Sequence, residues 1–278
     1  KSGSSRTLQD YFYRFARFAC DTYYNLNSIN NVTRLHVLDI ACNDCSQLDA
    51  FHSVGCSTYG VDPAANLLHS SATSVNHKLS CNFWNEDALD RGRVLSDLDD
   101  RETFDIIVAQ NVFAHTTEIK TFLRAVRRVC HPGTLVFIQT SQAHILSKGE
   151  FDTVYHEHIS FFTVNSMKTC IEGDDVGMHL LRVDFPEIHG GSYLFTISPR
   201  QIKSEYCLNN VQSTIEYEHT NLGIYERRDL EKSYVRKCEL YKTEFVSHMY
   251  QFMETDFTII GYGSTAKSNT LLNYCGID

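Results

Sequence analysis

The chain lacks a basic excess: 25 Lys and Arg stand against 34 Asp and Glu, a formal net charge of −9 over 278 residues. Proteins that grip phosphate backbones release counterions through a basic face, so this balance argues against a general nucleic-acid binder and leaves room only for a local basic groove. No apolar run reaches the roughly 18 residues of a membrane span, and no signal-peptide pattern opens the chain. The ten cysteines have no framework spacing, and no second C-x-x-C accompanies Cys42 and Cys45. They read as reduced thiols, mostly small core hydrophobes in a cytoplasmic protein, and the Asn31-Val-Thr33 sequon is then incidental. Repeats and low-complexity segments are absent as well. The first residue is Lys1 rather than Met, which reads as a processed, trimmed or excised end. What is present is a globular composition, 42% hydrophobic and 21% charged, long enough for one large α/β domain with a smaller appendage.

Periodicity then orders the chain. Residues 8–26, LQDYFYRFARFACDTYYNL, carry Tyr11, Phe15, Phe18 and Tyr23 at helical spacing. This predicts an amphipathic helix lying on a domain, with residues 1–30 as an N-terminal helical segment. From residue 35, strand-like and helix-like stretches alternate: LHVLDIA, SQLDAFHSVG, STYGVDPA, a helix, FDIIVAQNVFAH, EIKTFLRAVRRVC and GTLVFIQT. Such alternation predicts βαβ units and a doubly wound parallel sheet with helices on both faces. MHLLRVDF and SYLFTISP, joined through PEIHGG, fit an antiparallel pair closing that sheet. A cofactor-binding domain is therefore expected over residues 31–199. Residues 200–278 read as a helical segment plus a truncated βα unit. Residues 227–254 form one long helix with Leu230, Tyr234, Cys238, Tyr241, Phe245 and Met249 on its apolar side, and FTIIGYGSTAKSNTLLNYCGID follows as strand, glycine loop and helix start.

In a doubly wound sheet, ligands sit outside the carboxyl ends of the strands, and the first strand-to-helix turn contacts the cofactor. Here that turn is VLDIACNDC, with Cys42-Asn-Asp-Cys45 where nucleotide-binding proteins carry glycines. A redox pair, a metal pair and inert packing are the rivals to a cofactor loop. Asp62 in YGVDPA, 23 residues after Asp39, decides for the loop, because an acid ending the second strand accepts from ribose hydroxyls and a redox pair has no use for it. A structural zinc site needs more ligands than are here. Without the G-x-G-x-x-G phosphate nest, S-adenosylmethionine, which has no phosphates, fits better than a dinucleotide. The expected cofactor residues are Asp39, Ala41, Asn43, Asp44, Asp62, Asn111 and Asp87, the last placed by FWNEDAL at the end of a third strand to meet the adenine amino group. The alternative for Asp87 is a helix cap. Asn and Asp in the turn tolerate left-handed backbone.

From about residue 10 to its last residue the chain resembles the nucleotide-sugar C-methyltransferases, which methylate carbon 3 of 4-keto deoxysugars. The resemblance is carried by NDC with GVDPAANL, EFDTVYHEHISFFT (150–163), HGGS (189–192) and GYGSTAKSNTLLNY (261–274). It implies a class I S-adenosylmethionine-dependent methyltransferase fold and methyl transfer to an enolate. It places the base at His158, with Glu157 and Tyr155 beside it in the sugar site, His115 nearby, and an N-terminal tyrosine at Tyr11 or Tyr13. The chain departs from the family in three ways: Ala41 and Cys45 replace loop glycines, the N-terminal zinc-binding cysteine cluster is absent so no metal is expected, and the C-terminal domain is cut after one βα unit.

The chemistry agrees with that assignment. Abstraction α to a carbonyl wants a base titrating near neutrality, which imidazole does without much tuning. Tyr155, His115 and the N-terminal tyrosine suit the developing enolate oxygen as donors. His156 and His158 on one strand face would also suit a metal, and simple loop hydrogen bonding is the remaining alternative. The substrate is expected against His189, Gly190 and Gly191, and against Tyr262, Gly263, Lys267 and Asn269 of the glycine loop, whose free amides suit a diphosphate; the alternatives are a plain turn between strands at HGGS and a solvated surface charge at Lys267. A small-molecule nucleotide-sugar partner is expected, with no membrane partner. The rival readings are a methyltransferase acting on RNA or another small molecule, and a degenerate methyltransferase-fold binding module.

Overall fold

The computed structural model describes residues 5–29, 33–68, 74–141, 144–188, 190–202, 205–263 and 266–277. Helix α1 (Arg6–Leu26) precedes β1 (His36–Ile40), α2 (Ser46–Ser53), β2 (Ser57–Val61), α3 (Ala65–Leu68), β3 (Lys78–Ser80), α4 (Glu86–Asp90) and α5 (Arg93–Asp97). Next come β4 (Phe104–Gln110), α6 (Ile119–Arg128), β5 (Cys130–Ser141), α7 (His144–Lys148), α8 (Val164–Glu172), β6 (His179–Asp184) and β7 (Ser192–Ser198). The chain continues through α9 (Glu205–Thr220), α10 (Arg227–Met253) and α11 (Ala266–Cys275). The seven strands lie in the order β3-β2-β1-β4-β5-β7-β6. β1 to β5 are parallel, and β6 and β7 form the expected antiparallel pair at one edge. The order turns at β1, between β2 and β4, so the first turn opens at the point where ligands enter such sheets.

Alternation along the strands makes two cores. Val37, Ile106, Val108, Leu135 and Phe137 face α1, whose Phe15, Ala16, Ala19 and Tyr23 complete that layer. Leu38, Ile40, Ile107, Val136 and Ile138 face the other side, over Phe122, Val126, Val164 and Met167. The aromatic spacing of α1 is thus a docking stripe: Phe15 meets Phe51 and Phe137 edge-on, with centroids 5.9 and 5.6 Å apart. Polar ties set its register, because the Tyr23 hydroxyl donates to Asp105 Oδ1 (2.8 Å) and Asn27 Nδ2 to the Gly133 carbonyl (2.9 Å).

α9 packs within this body, beyond the boundary expected at 199. Asn210 Oδ1 accepts from the Val183 amide at 2.7 Å. The fully buried Glu218 carboxylate accepts from the Val164 amide starting α8 and from the Tyr193 and Tyr225 hydroxyls, at 2.7–3.0 Å. Three donors from three elements make a buried carboxylate tolerable.

The long helix forms as expected over Arg227–Met253, though Cys238 is the buried position on its apolar side while Tyr241 is exposed. The strand expected at FTII does not form: residues 257–263 are irregular, with Ile260 and Tyr262 exposed. A strand needs a neighbour to complete its ladder, and none of the seven strands lies beside it.

Close packing beneath the first turn falls on Gly60 of β2. A Cβ there would lie 2.6 Å from Cys42 Sγ, 2.8 Å from Leu48 Cδ1 and 2.9 Å from Leu79 Cδ2. Gly60→Ala is expected to lower unfolding free energy by about 1–3 kcal/mol, measured by urea denaturation in reducing buffer.

Candidate active site

The first turn adopts the backbone that glycines would allow, without glycines. Ala41, Asn43 and Cys45 all have positive φ, at 62, 50 and 63°. Left-handed backbone costs an alanine or cysteine about 1–2 kcal/mol, so the surroundings must impose it. The Ala41 amide donates to the Val61 carbonyl (2.7 Å), the Asn43 amide to Asp62 Oδ2 (2.9 Å) and the Cys45 amide to the Cys42 carbonyl (2.9 Å). Cys42 and Cys45 are free and buried with Leu48 and Leu68, so the C-x-x-C pair packs the turn from below. Asp44 Oδ1 accepts from the Ser46 hydroxyl at 2.6 Å and closes the start of α2.

Above this turn lies a cavity of about 330 Å³ lined by Leu8, Phe12, Asp39, Ala41, Cys42, Asn43, Asp44, Gln47, Asp62, Gln110, Asn111, Val112 and His115. That is the low end of small-molecule sites, which run from about 300 to 1,000 Å³. Six of the seven expected cofactor residues meet here: Asp39, Ala41, Asn43, Asp44, Asp62 and Asn111. Asp87 does not. β3 ends at Ser80, which places Asp87 in the first turn of α4, exposed and paired with Arg91 at 3.0 Å. Asn85, accepting from the Ala88 amide at 2.8 Å, is the cap of that helix.

Asn43 Oδ1 and both amide atoms of Gln110 are buried without a hydrogen bond of normal geometry, although Gln110 lies near enough to Tyr11 to moderate that phenol's acidity. Burial raises the Asp39 carboxyl well above its usual range, with Cys45 and Asp62 adding to the rise. Such a set suits a ligand bearing an ammonium group, hydroxyls and amide-like edges, without phosphates. S-adenosylmethionine is such a ligand, and these residues fit it.

Beside the cavity stands a histidine cluster. Ile159 and Ser160 donate their amides to the Ala114 carbonyl (2.9 and 3.1 Å), tying the 155–160 loop to the turn after β4. His115 and His158 stack edge-on with centroids 5.0 Å apart. His158 Nδ1 lies 3.0 Å from the Thr153 carbonyl and Nε2 lies 2.9 Å from the Tyr155 hydroxyl. A carbonyl only accepts, so the proton sits on Nδ1 and Nε2 carries the lone pair, which Tyr155 donates into. Burial lowers the His158 pKa, the Thr153 carbonyl opposes that shift, and the nearby His115 and Lys267 lower it further. Residues 155–158 form a turn rather than a strand, with the His158 amide on the Tyr155 carbonyl at 2.9 Å. His156 and His158 therefore share no strand face; His156 and Glu157 are exposed.

The two N-terminal tyrosines separate. Tyr11 is part-buried and donates its hydroxyl to Gln139 Oε1 at 2.8 Å, whereas Tyr13 is 46% exposed on another face with Arg17 and Cys20. With its hydrogen committed, Tyr11 offers lone pairs rather than the donor expected. Among the substrate residues, Lys267 Nζ lies 3.7 Å from Asp152 Oδ2 and about 4.0 Å from where a Gly190 Cβ would be. Gly190 and Gly191 hold φ of 85 and 105°. Asn269 is exposed on α11, and Tyr262 and Gly263 stand in open space. His189 lies outside the described residues. Gln47, Gln110, Gln139 and Thr153 escaped the sequence reading; the signal for Gln110 was its place at the end of β4.

With this geometry in view, the chain matches the family model for a methyltransferase domain over residues 12–175, more than half its length. The chain belongs to the methyltransferase-domain family. Residues 187–278 match a model described as the C-methyltransferase C-terminal domain. The chain is 25% identical over 243 residues to the C-methyltransferase NovU of Streptomyces niveus, covering 87% of this chain and 55% of that protein. It is 30% identical over 117 residues to the ubiquinone biosynthesis O-methyltransferase of Bradyrhizobium sp. (strain ORS 278), covering 42% and 44%. It thus spans about half the length of these curated relatives. A solved methyltransferase from Clostridium acetobutylicum superposes with TM-score 0.49 at 12% identity, over 66% of this chain and 89% of that one. The strand order β3-β2-β1-β4-β5-β7-β6 together with the methyltransferase-domain match makes this the class I methyltransferase fold.

Two outcomes follow for the methyltransferase. Asp62→Ala removes the acceptor of the Asn43 and Ala64 amides and is expected to weaken S-adenosylhomocysteine binding at least about tenfold by calorimetry. Asp39 holds its proton more tightly folded than unfolded, so its stabilising contribution is present below the unfolded carboxylate range and lost as pH rises through the folded value. Asp39→Asn should therefore raise the thermal midpoint of the ligand-free chain more at pH 8 than at pH 4.

Proposed function

We propose that this methyltransferase alkylates a carbon next to a ketone on a nucleotide-linked sugar, through an enolate generated by His158. The observation that carries the reading is the His158 imidazole, its tautomer set by Thr153 and its basic Nε2 exposed to Tyr155, stacked on the His115 that lines the cofactor cavity. The family match over 187–278 and the resemblance of the chain to NovU support a carbon acceptor. The cofactor supplies an electrophilic methyl group, and Asp39, Asp62, Asn43 and Gln110 would hold it.

The acceptor displaces the Tyr155 hydroxyl from Nε2, which then takes the acidic proton beside the ketone. Tyr155, freed to donate elsewhere, and His115 stabilise the charge that grows on the ketone oxygen. Lys267, near Gly190 and close enough to act on His158, would meet the anionic linker of the acceptor. Phe151 carries the C-terminal segment into this neighbourhood, its ring 4.2 Å from Tyr274 and 5.7 Å from Tyr241. The intact left-handed turn and its open, polar cavity favour a working site over a degenerate module.

The depressed His158 pKa keeps Nε2 unprotonated below the usual imidazole value. The acid limb of kcat/KM should then fall below about pH 6.5. His158→Ala should cost about 10²-fold or more in methyl transfer to a dTDP-4-keto-6-deoxyhexose while S-adenosylhomocysteine binding stays within threefold. An unchanged rate in that variant would remove His158 as the base.

A further inference from the structure

Gln139, at the end of β5, is fully buried and its side-chain amide is the meeting point of three elements. Its Oε1 accepts from the Tyr11 hydroxyl on α1 at 2.8 Å. Its Nε2 donates to Asn111 Oδ1 at 3.3 Å, in the turn after β4, and to Ser192 Oγ at 3.2 Å, at the start of β7. Ser192 Oγ gives its own hydrogen to the Ile188 carbonyl at 3.2 Å, so toward Gln139 it only accepts. The amide therefore has one satisfiable orientation, with both hydrogens and the carbonyl engaged.

The partners lie in two different cavities. Asn111 lines the cofactor cavity and is held at φ 55°. Tyr11 and Ile188 line a separate cavity of about 760 Å³ between α1 and the turn after β6. Leu8 belongs to both linings. A rigid, saturated amide between two such walls transmits a shift of one to the other, since interiors are close-packed and side chains move between discrete states.

We propose that Gln139 is a positioning residue that couples occupancy of the cofactor cavity, through Asn111, to the placement of the N-terminal helix at Tyr11 and of Ser192 with the Ile188 carbonyl it bonds. Cofactor binding sets Asn111, Gln139 passes the constraint on, and the walls of the second cavity are held in one arrangement. This rests on the cofactor reading of the cavity and is independent of which acceptor is methylated.

The test is a double-mutant cycle on Gln139→Met and Tyr11→Phe, read by S-adenosylhomocysteine calorimetry and by amide hydrogen exchange over residues 6–18 with and without that ligand. Gln139→Met is expected to weaken binding about tenfold and to remove at least tenfold of the ligand-induced protection of the helix. The double variant should be no worse than Gln139→Met alone, because Tyr11 acts through Gln139. Gln139→Glu retains the acceptor for Tyr11 and loses the donors. It should bind weakly at pH 8 and regain affinity at pH 6, where a protonated carboxyl donates again, a recovery that a purely structural role would not produce. Unchanged affinity with ligand-induced helix protection intact in Gln139→Met, or losses that simply multiply in the double variant, would overturn the coupling.

Discussion

The bond from the Asn43 amide to Asp62 Oδ2 is the constraint on which the site depends. It fixes the turn after β1 to the end of β2, and with the Ala41 amide on the Val61 carbonyl it holds Ala41, Asn43 and Cys45 in left-handed backbone. The strain of non-glycine residues there is offset by burial of Cys42 and Cys45 in a small apolar cluster. Gly60 gives that cluster its room, with Cys42 seated directly over the strand. A loop without glycines can thus have the shape of a glycine loop when its neighbours enforce it.

From that turn, polar ties run outward through the fold. Asn111 joins the cavity to Gln139, Gln139 to α1 and β7, and Ala114 to the loop carrying His158. Each tie is a backbone or amide bond in a buried setting, where an unmet partner is costly. The same logic holds the far layer together at Glu218, whose carboxylate joins α8, α9, β7 and Tyr225. The histidines of the proposed site rest on supports of this kind, as a site with a narrow geometric tolerance requires.

Much of this was legible before the structure. The alternation after residue 35 read as a parallel sheet because buried strands and amphipathic helices have distinct periods, and the PEIHGG connection read as its antiparallel closure. Asp62 was legible from its spacing to Asp39. Asp87 was misplaced because β3 ends at Ser80, earlier than FWNEDAL suggested, and a short edge strand leaves little periodic signal. The FTII stretch carries a strand's composition, yet pairing is a property of neighbours and this stretch has none.

The amino-acid sequence by itself determined the doubly wound fold class, which follows from local period, while the methyltransferase reading and the histidines came from the resemblance that its motifs carry. Tertiary structure alone decided which of these groups face the cavity and in what form. Tyr11 rather than Tyr13 faces inward because of the helix's rotation on Phe51 and Phe137. The lone pair of His158 lies on Nε2 because a carbonyl five residues back claims the proton of Nδ1. The cysteines of the first turn are packing rather than chemistry because folding buries both beneath it. Rotation and burial arise from contacts between segments distant in the chain, and the tautomer from the geometry of an irregular turn, which no periodic pattern encodes.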